Sequence, residues 1–444
     1  MKKFYSFLFA AVALVGFAAC NSDSTEEPAP AQKVGKVEFT ANIDDSRTNL
    51  GTDFSVTWEG NETIAIKSGE KVYEFILKDG SLSEDKKSAT FVYEGGDFKA
   101  SENMSAVHPY NAEGTPKIAT NQNGTFGGAM VMSGVATKDG VVTFNTHNTV
   151  ILTFTVPAAC KEVKINDKVV KADFAAGTTY YASVEDGTNN LEVRIDGYLS
   201  KKAATKAALE KGNVYKLGVL PAPVESGWEL MGLNNWANSA KMYKDLDWFV
   251  AYNITSSSNE FKFKNGGTWV GAKSDFLHKD VYAYPEGGTN IKAEKSNTAY
   301  DFYYNPEGGL YMILPAGTDI NQDIYVATDM FIRGNYTNYS GYGNWGKGRT
   351  PIVAQGKYYL FKEYTFSSNP EFKFTTSEEG WDWQYSTENT LTENTWTTLK
   401  NASSLGGNTK FSKAGTYDIY TTSDKNNRNK VLIVTHGNAP AAMN

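Results

Sequence analysis

Short runs in which apolar and polar residues alternate dominate the chain from Val37 onward. Val37 to Ala41 (VEFTA), Phe54 to Trp58 (FSVTW), Ile64 to Ile66 and Val72 to Leu77 are such runs, and Asp44-Asp45-Ser46-Arg47, Glu59-Gly60-Asn61 and Ser68-Gly69-Glu70 separate them. A period of two sends successive side chains to opposite faces of a sheet, and the polar Gly/Asn/Asp/Ser clusters supply the turns. Val141 to Phe144, Val150 to Val156, Glu162 to Ile165, Thr179 to Val184 and Leu191 to Ile195 continue the pattern. Lys201 to Lys211 (KKAATKAALEK) departs from it: helix formers followed by Gly212 predict a short helix before a closing strand at Val214 to Leu217. The expected fold class is therefore all-β and multidomain, a series of tandem β-sandwich modules. Residues 34–220 form its first region, with subdomains near 34–105 and 106–220.

Pro221-Ala222-Pro223 marks a boundary, and beyond it the chain repeats itself. Asn259-Glu-Phe261-Lys-Phe263 recurs as Asn369-Pro-Glu371-Phe-Lys-Phe374, and Thr298-Ala-Tyr300-Asp301 as Gly415-Thr-Tyr417-Asp418. Trp248-Phe-Val250 matches Tyr358-Tyr-Leu360, and Leu310 to Leu314 matches Lys430 to Val434. Order is kept while the offsets drift between 110 and 120 residues, as expected of a duplicated β-module with loop insertions. The copies are placed at 221–320 and 321–444. Within them Phe261, Phe263, Phe372 and Phe374 alternate with charges and read as core, as do Trp228 and Trp248.

The first residues read as an address. Lys2 and Lys3 precede an apolar run from Phe4 to Phe17, then Ala18-Ala19-Cys20. This is the layout of a secretory signal peptide over 1–19, too short for a spanning helix. Phe17-Ala-Ala-Cys20 resembles the bacterial lipobox, which implies lipidation of Cys20 and an outer-membrane lipoprotein. Residues 20–33, acidic and Pro/Ala-rich, read as a flexible tether. The acidic residues after the Cys resemble the surface-export signal of Bacteroidetes-type lipoproteins, which implies a chain facing the cell exterior.

Composition narrows the function classes. A net charge of −7 without a basic stripe argues against nucleic acid as a partner. Two Cys and four scattered His offer neither a zinc module nor a metal motif, and no cofactor is expected. Cys160 reads as a buried, inert thiol. Gly341 to Gly348 nearly spells a phosphate loop, but Gly348 stands where Ser or Thr is required. No catalytic motif emerges and no segment is left over for a catalytic domain, so the chain is read as a non-enzyme.

What composition adds is an aromatic surplus: eight of nine Trp and 18 of 26 Tyr lie beyond residue 220. Several fall in polar, glycine-rich loops. Trp236 follows Gly232-Leu-Asn-Asn, Trp269 follows Asn265-Gly-Gly-Thr, Tyr342 and Trp345 lie in Gly341-Tyr-Gly-Asn-Trp-Gly346, and Trp381-Asp-Trp383 follows Glu378-Glu-Gly. Exposed rings of this kind suit the apolar face of a pyranose. About 60 Å² covered per ring contributes ~1.5 kcal/mol, and two rings with a few hydrogen bonds reach roughly a millimolar site.

Two family resemblances follow from these residues. Trp228-Glu-Leu-Met-Gly232…Asn235-Trp236, Phe261-Lys-Phe-Lys264, Trp269, Gly287-Gly-Thr-Asn290-Ile and Thr298-Ala-Tyr300-Asp301 resemble the C-terminal modules of SusE/SusF-type starch-binding lipoproteins. The second copy is more divergent, with a shortened Gly406-Gly-Asn408 and Thr375 at the position of Lys264. The resemblance implies binding of starch or a related α-glucan by Trp236, Lys264 and Trp269 in the first copy. In the second it implies Tyr342 or Trp345 with Trp381 or Trp383, and Lys373. Val37-Glu-Phe-Thr-Ala41, Arg47-Thr48 and Trp58-Glu-Gly60…Ile64 resemble fimbrillin-like (Mfa-like) proteins over 34–220, which implies either a polymerising subunit or a spacer. The partners implied are the outer membrane, a glycan-uptake porin complex or fimbrial subunits. The alternative function is a fimbria-associated subunit or tip adhesin that binds another glycan.

Overall fold

A computed structural model describes residues 36–43, 57–273, 283–320, 323–328, 330–354, 358–422 and 429–442. The signal peptide, Cys20, the tether and Arg47-Thr48 lie outside the described residues. The described chain is all-β in many sheets, with one four-residue helix at Phe126–Ala129 and a left-handed turn at Leu233–Trp236.

The first seven long strands, from Val37–Ile43 to Val141–His147, close into a barrel. Closure comes from Val37–Ile43, which pairs antiparallel with Ser88–Tyr93 and parallel with Val141–His147. Alternation fills the interior with Phe39, Ala41, Ile64, Ile66, Phe75, Phe91 and Phe144, and Trp58 packs edge-on against Phe91, His108 and Phe144. The boundary expected near residue 105 therefore falls inside a closed sheet, because Met104–His108, Met132–Ala136 and Val141–His147 are needed to complete the ring.

The next unit packs a five-stranded sheet against a three-stranded one around Leu152, Phe154, Val163, Val170, Phe174 and Val193. The helix expected at Lys201–Lys211 is not formed. Tyr198–Ala204 is a strand paired with Asn190–Ile195, so ladder hydrogen bonds to a neighbouring strand override local helix propensity. Cys160 is free and 7% exposed, and burial, then the Asp196 charge, pushes its thiol up to about 11.

The first C-terminal module is an eight-stranded closed sheet, sealed where Leu230 meets Phe263, with a short ninth strand at Ile291–Lys292. The second is two five-stranded sheets. Phe261, Phe263, Phe372 and Phe374 are all core residues at 2% exposure or less. The modules are not separate beads: Trp248, Val250, Tyr303 and Met312 of the first share one apolar cluster with Val326, Ile332, Phe361 and Phe374 of the second. The first module is also clamped to the preceding unit. Arg194 forks onto Asp245, which is 4% exposed and also accepts from the Tyr252 hydroxyl at 2.5 Å.

A backbone irregularity recurs in the two C-terminal modules. The paired strands Trp248–Thr255 and Tyr358–Phe366 both bulge, between Ala251 and Ile254 and between Phe361 and Tyr364. Each bulge carries a left-handed residue, Asn253 or Glu363, whose N–H donates to Asp301 (2.7 Å) or Asp418 (2.8 Å). The repeated Tyr-Asp motif is thus a bulge clamp.

Candidate functional site

On the outer face of the first module, cross-strand pairing sets Lys241 beside Glu229, Glu229 beside Lys264, and Lys264 beside Trp269. Trp236 reaches this face from the loop after Glu225–Gly232. Gly232 (φ 103°) lies so close to the next strand that a Cβ would sit 2.3 Å from the Glu260 carbonyl oxygen. Asn234, Asn235 and Trp236 then take successive left-handed conformations (φ 50°, 59° and 69°). Asn tolerates that region through local hydrogen bonding, and the Asn234 side chain accepts from Ser257; for Trp it costs roughly 1–2 kcal/mol. The outcome is two rings, 41% and 46% exposed, with centroids 6.5 Å apart and planes tilted by 46°. The Lys264 ammonium stands 5.1 Å from the Trp269 ring.

The second module repeats this arrangement. Gly334 passes the Glu371 carbonyl as Gly232 passes that of Glu260, leaving 2.6 Å for a Cβ. Asn344 and Trp345 are left-handed (φ 54° and 63°), and the Trp345 N–H donates to the Gly334 carbonyl. Trp345 and Trp381 lie 6.2 Å apart with a tilt of 37°. Asn290 donates to the Glu260 carboxylate (2.9 Å), and Asn408 to that of Glu371 (3.0 Å). The asparagine bond, followed by Lys292, holds the Glu260 carboxyl below its usual range.

Of the residues singled out in the sequence, Trp236, Lys264 and Trp269 come together, and so do Trp345 and Trp381. Trp383 is 42% exposed, but the ring that Trp345 meets is that of Trp381. Tyr342 has the Arg349 guanidinium 5.6 Å from its ring and makes no ring pair with Trp381 among the described residues. Lys373 is 7% exposed, and its ammonium is held by Gln384 (3.0 Å) and the Leu405 carbonyl. Burial shifts it below the usual lysine range. Thr375 is fully buried and donates to the Ser377 carbonyl.

The cation of the second site is Arg333, which sequence reasoning missed. It lies one strand over, on Phe331–Gly334, 3% exposed, with its guanidinium 4.5 Å from the Trp381 ring. Its register partner is Lys373, so the charge sits on the strand beside the one that carries Thr375. The only signal available was the Asn-Trp dipeptide, at 235–236 and 344–345, which aligns the two loops.

Among the described residues no cluster of His, Cys, Asp and Glu has metal-ligand spacing, and no helix is long and apolar enough to cross a membrane. No family model, curated protein or solved structure matches the chain.

Proposed function

We propose that this protein is a non-catalytic surface lipoprotein, anchored in the outer membrane through Cys20, that captures starch-like α-glucan through its two C-terminal modules. The observation that carries the reading is the repeated pair of mutually tilted Trp rings, exposed at Trp236, Trp269 and Trp381 and half-buried at Trp345, each pair with a cation against one ring. Two sugar rings of a coiled chain present their faces at an angle, whereas those of a flat ribbon present them in one plane. Tilts of 46° and 37° therefore favour a curved glycan such as an α-1,4-glucan. Backbone strain held at both ring-bearing loops favours a binding role over packing. Two weak sites on one chain gain by avidity, roughly 10²–10⁴-fold.

The test is affinity electrophoresis of the mature chain in gels containing amylopectin. Retardation is expected, and it should fall on replacing Trp236 and Trp269 with Ala. Absence of retardation by starch or glycogen would overturn the reading.

A further inference from the structure

The described residues contain three arginines, and their surroundings differ. Arg194 is paired with the carboxylates of Glu192 and Asp245. Arg333 and Arg349, both in the second module, have no carboxylate in ion-pair range among the described residues, and each keeps a covered nitrogen (Arg333 Nε, Arg349 Nη1) without an acceptor. Arg333 lies beneath Trp381, but Arg349 opens onto a cleft.

That cleft has a volume of about 440 Å³ and is built partly from the 338–349 loop, which also carries Trp345. Tyr325, Tyr339 and Tyr342 wall it, Ser340 and Thr350 add hydroxyls, and Arg349 forms part of its floor. The guanidinium is stacked 3.5 Å from the Tyr339 ring centroid, with Tyr342 at 5.6 Å and Tyr364 at 5.9 Å. Its hydrogen bond goes to the Tyr325 hydroxyl at 3.3 Å. Tyr339 is itself fixed by donating to the Lys362 carbonyl (2.8 Å), so the guanidinium rests on a rigid ring.

A half-buried cation without a counter-charge is costly, and stacking on half-buried rings returns only about 0.5–2 kcal/mol. The planar fork matches a carboxylate, and the aromatic walls match a sugar ring. Glu378 lines the same cleft and adds one negative charge, which disfavours a densely charged polyanion but tolerates one carboxylate per ring. We propose that this cleft is a separate binding site for an acidic sugar, a uronate residue whose carboxylate pairs with Arg349 and whose ring packs between Tyr325 and Tyr342. The site uses other side chains than the α-glucan platforms, although the Glu378 carbonyl joins it to Arg333 beneath Trp381, and it gives Tyr342 a role apart from Trp345.

Titration calorimetry of the intact mature chain with trigalacturonate, against maltotriose as the neutral control, tests the proposal. Trigalacturonate should bind with an affinity that falls as salt rises. Arg349→Gln should weaken it at least about tenfold, the scale of a lost charge-assisted pair, with partial recovery in Arg349→Lys. Tyr342→Ala, at the cleft wall, should weaken binding while leaving the melting temperature near that of the parent. Trp236→Ala with Trp269→Ala should leave trigalacturonate binding unchanged while weakening amylopectin retardation, which separates this site from the α-glucan reading. The proposal is overturned if trigalacturonate does not bind at millimolar concentration, if it binds equally well to folded Arg349→Gln and Tyr342→Ala, or if a sulfated, carboxylate-free oligosaccharide is preferred.

Discussion

Removing the rings of the first platform should cost a calculable amount. Trp236 and Trp269 are 41% and 46% exposed, and a Trp side chain carries up to roughly 250 Å², so each leaves about 100 Å² open. A pyranose that covers about 60 Å² of this gains ~1.5 kcal/mol at ~25 cal/mol/Å². Trp236→Ala or Trp269→Ala should therefore weaken maltoheptaose binding about tenfold, and the double variant about a hundredfold, taking a millimolar site out of reach. Lys264→Met removes a partly exposed cation 5.1 Å from Trp269 and should cost less, about threefold. The assay is titration calorimetry of the mature chain with Trp345→Ala and Trp381→Ala already in place, so that one platform is read alone. Unchanged thermal unfolding secures the comparison. An affinity within about twofold of the parent in the folded Trp236→Ala/Trp269→Ala chain refutes the stacking argument.

Four further outcomes follow from the geometry. Burial lowers the His108 pKa to about 4, against an ordinary 6.5. The unfolded chain then binds the extra proton first, so the stability of the neutral ring is full above pH 6.5, declines as pH falls toward 4, and totals about 3 kcal/mol. Calorimetric melting between pH 7 and 4 should show a shallower loss in His108→Asn than in the parent. Gly232→Ala forces a Cβ to 2.3 Å from a carbonyl oxygen at φ 103°, and should lower stability by roughly 2 kcal/mol or more and weaken amylopectin retardation. Asp245→Asn leaves Arg194 short of its buried partner; a loss of about 3 kcal/mol should appear in denaturant unfolding, with limited proteolysis opening near residue 221. Lys373→Met removes an ammonium bonded to Gln384 and Leu405, and should alter the melting temperature while leaving maltoheptaose affinity within about twofold.

Much of the strand pattern was legible because it is local. The Phe261/Phe263 and Phe372/Phe374 alternations sit in the core as period two requires, and the duplicated motifs pointed to matching strands. What could not be read depends on pairing between distant segments. Nothing near Val37 announces that its strand runs parallel to Val141–His147 and closes a ring. Lys201–Lys211 has helix-forming residues throughout, yet its first half is claimed by Asn190–Ile195 across a hairpin. The second site's cation was sought at Lys373, close to the position aligned with Lys264, whereas the fold supplies it from a cross-strand neighbour in the preceding strand.

The two copies within one chain differ in a way that separates what holds the rings from what would meet a ligand. The holding parts repeat residue for residue: Gly232 and Gly334 against a glutamate carbonyl, Asn290 and Asn408 on that glutamate's carboxylate, Asp301 and Asp418 on a bulge amide, and a left-handed Asn-Trp pair. The charges do not repeat. Lys264 is half exposed and can reach the hydroxyls of a sugar lying on Trp269, while Arg333 is buried and acts on a ligand only through the Trp381 ring that covers it. A duplicated scaffold with divergent charges presents two platforms of similar shape and different polar reach. Lys264→Met should therefore lower affinity at the first platform with little effect on folding. Arg333→Met should act first on stability and on the fixed position of Trp381, and on binding only as far as that ring moves.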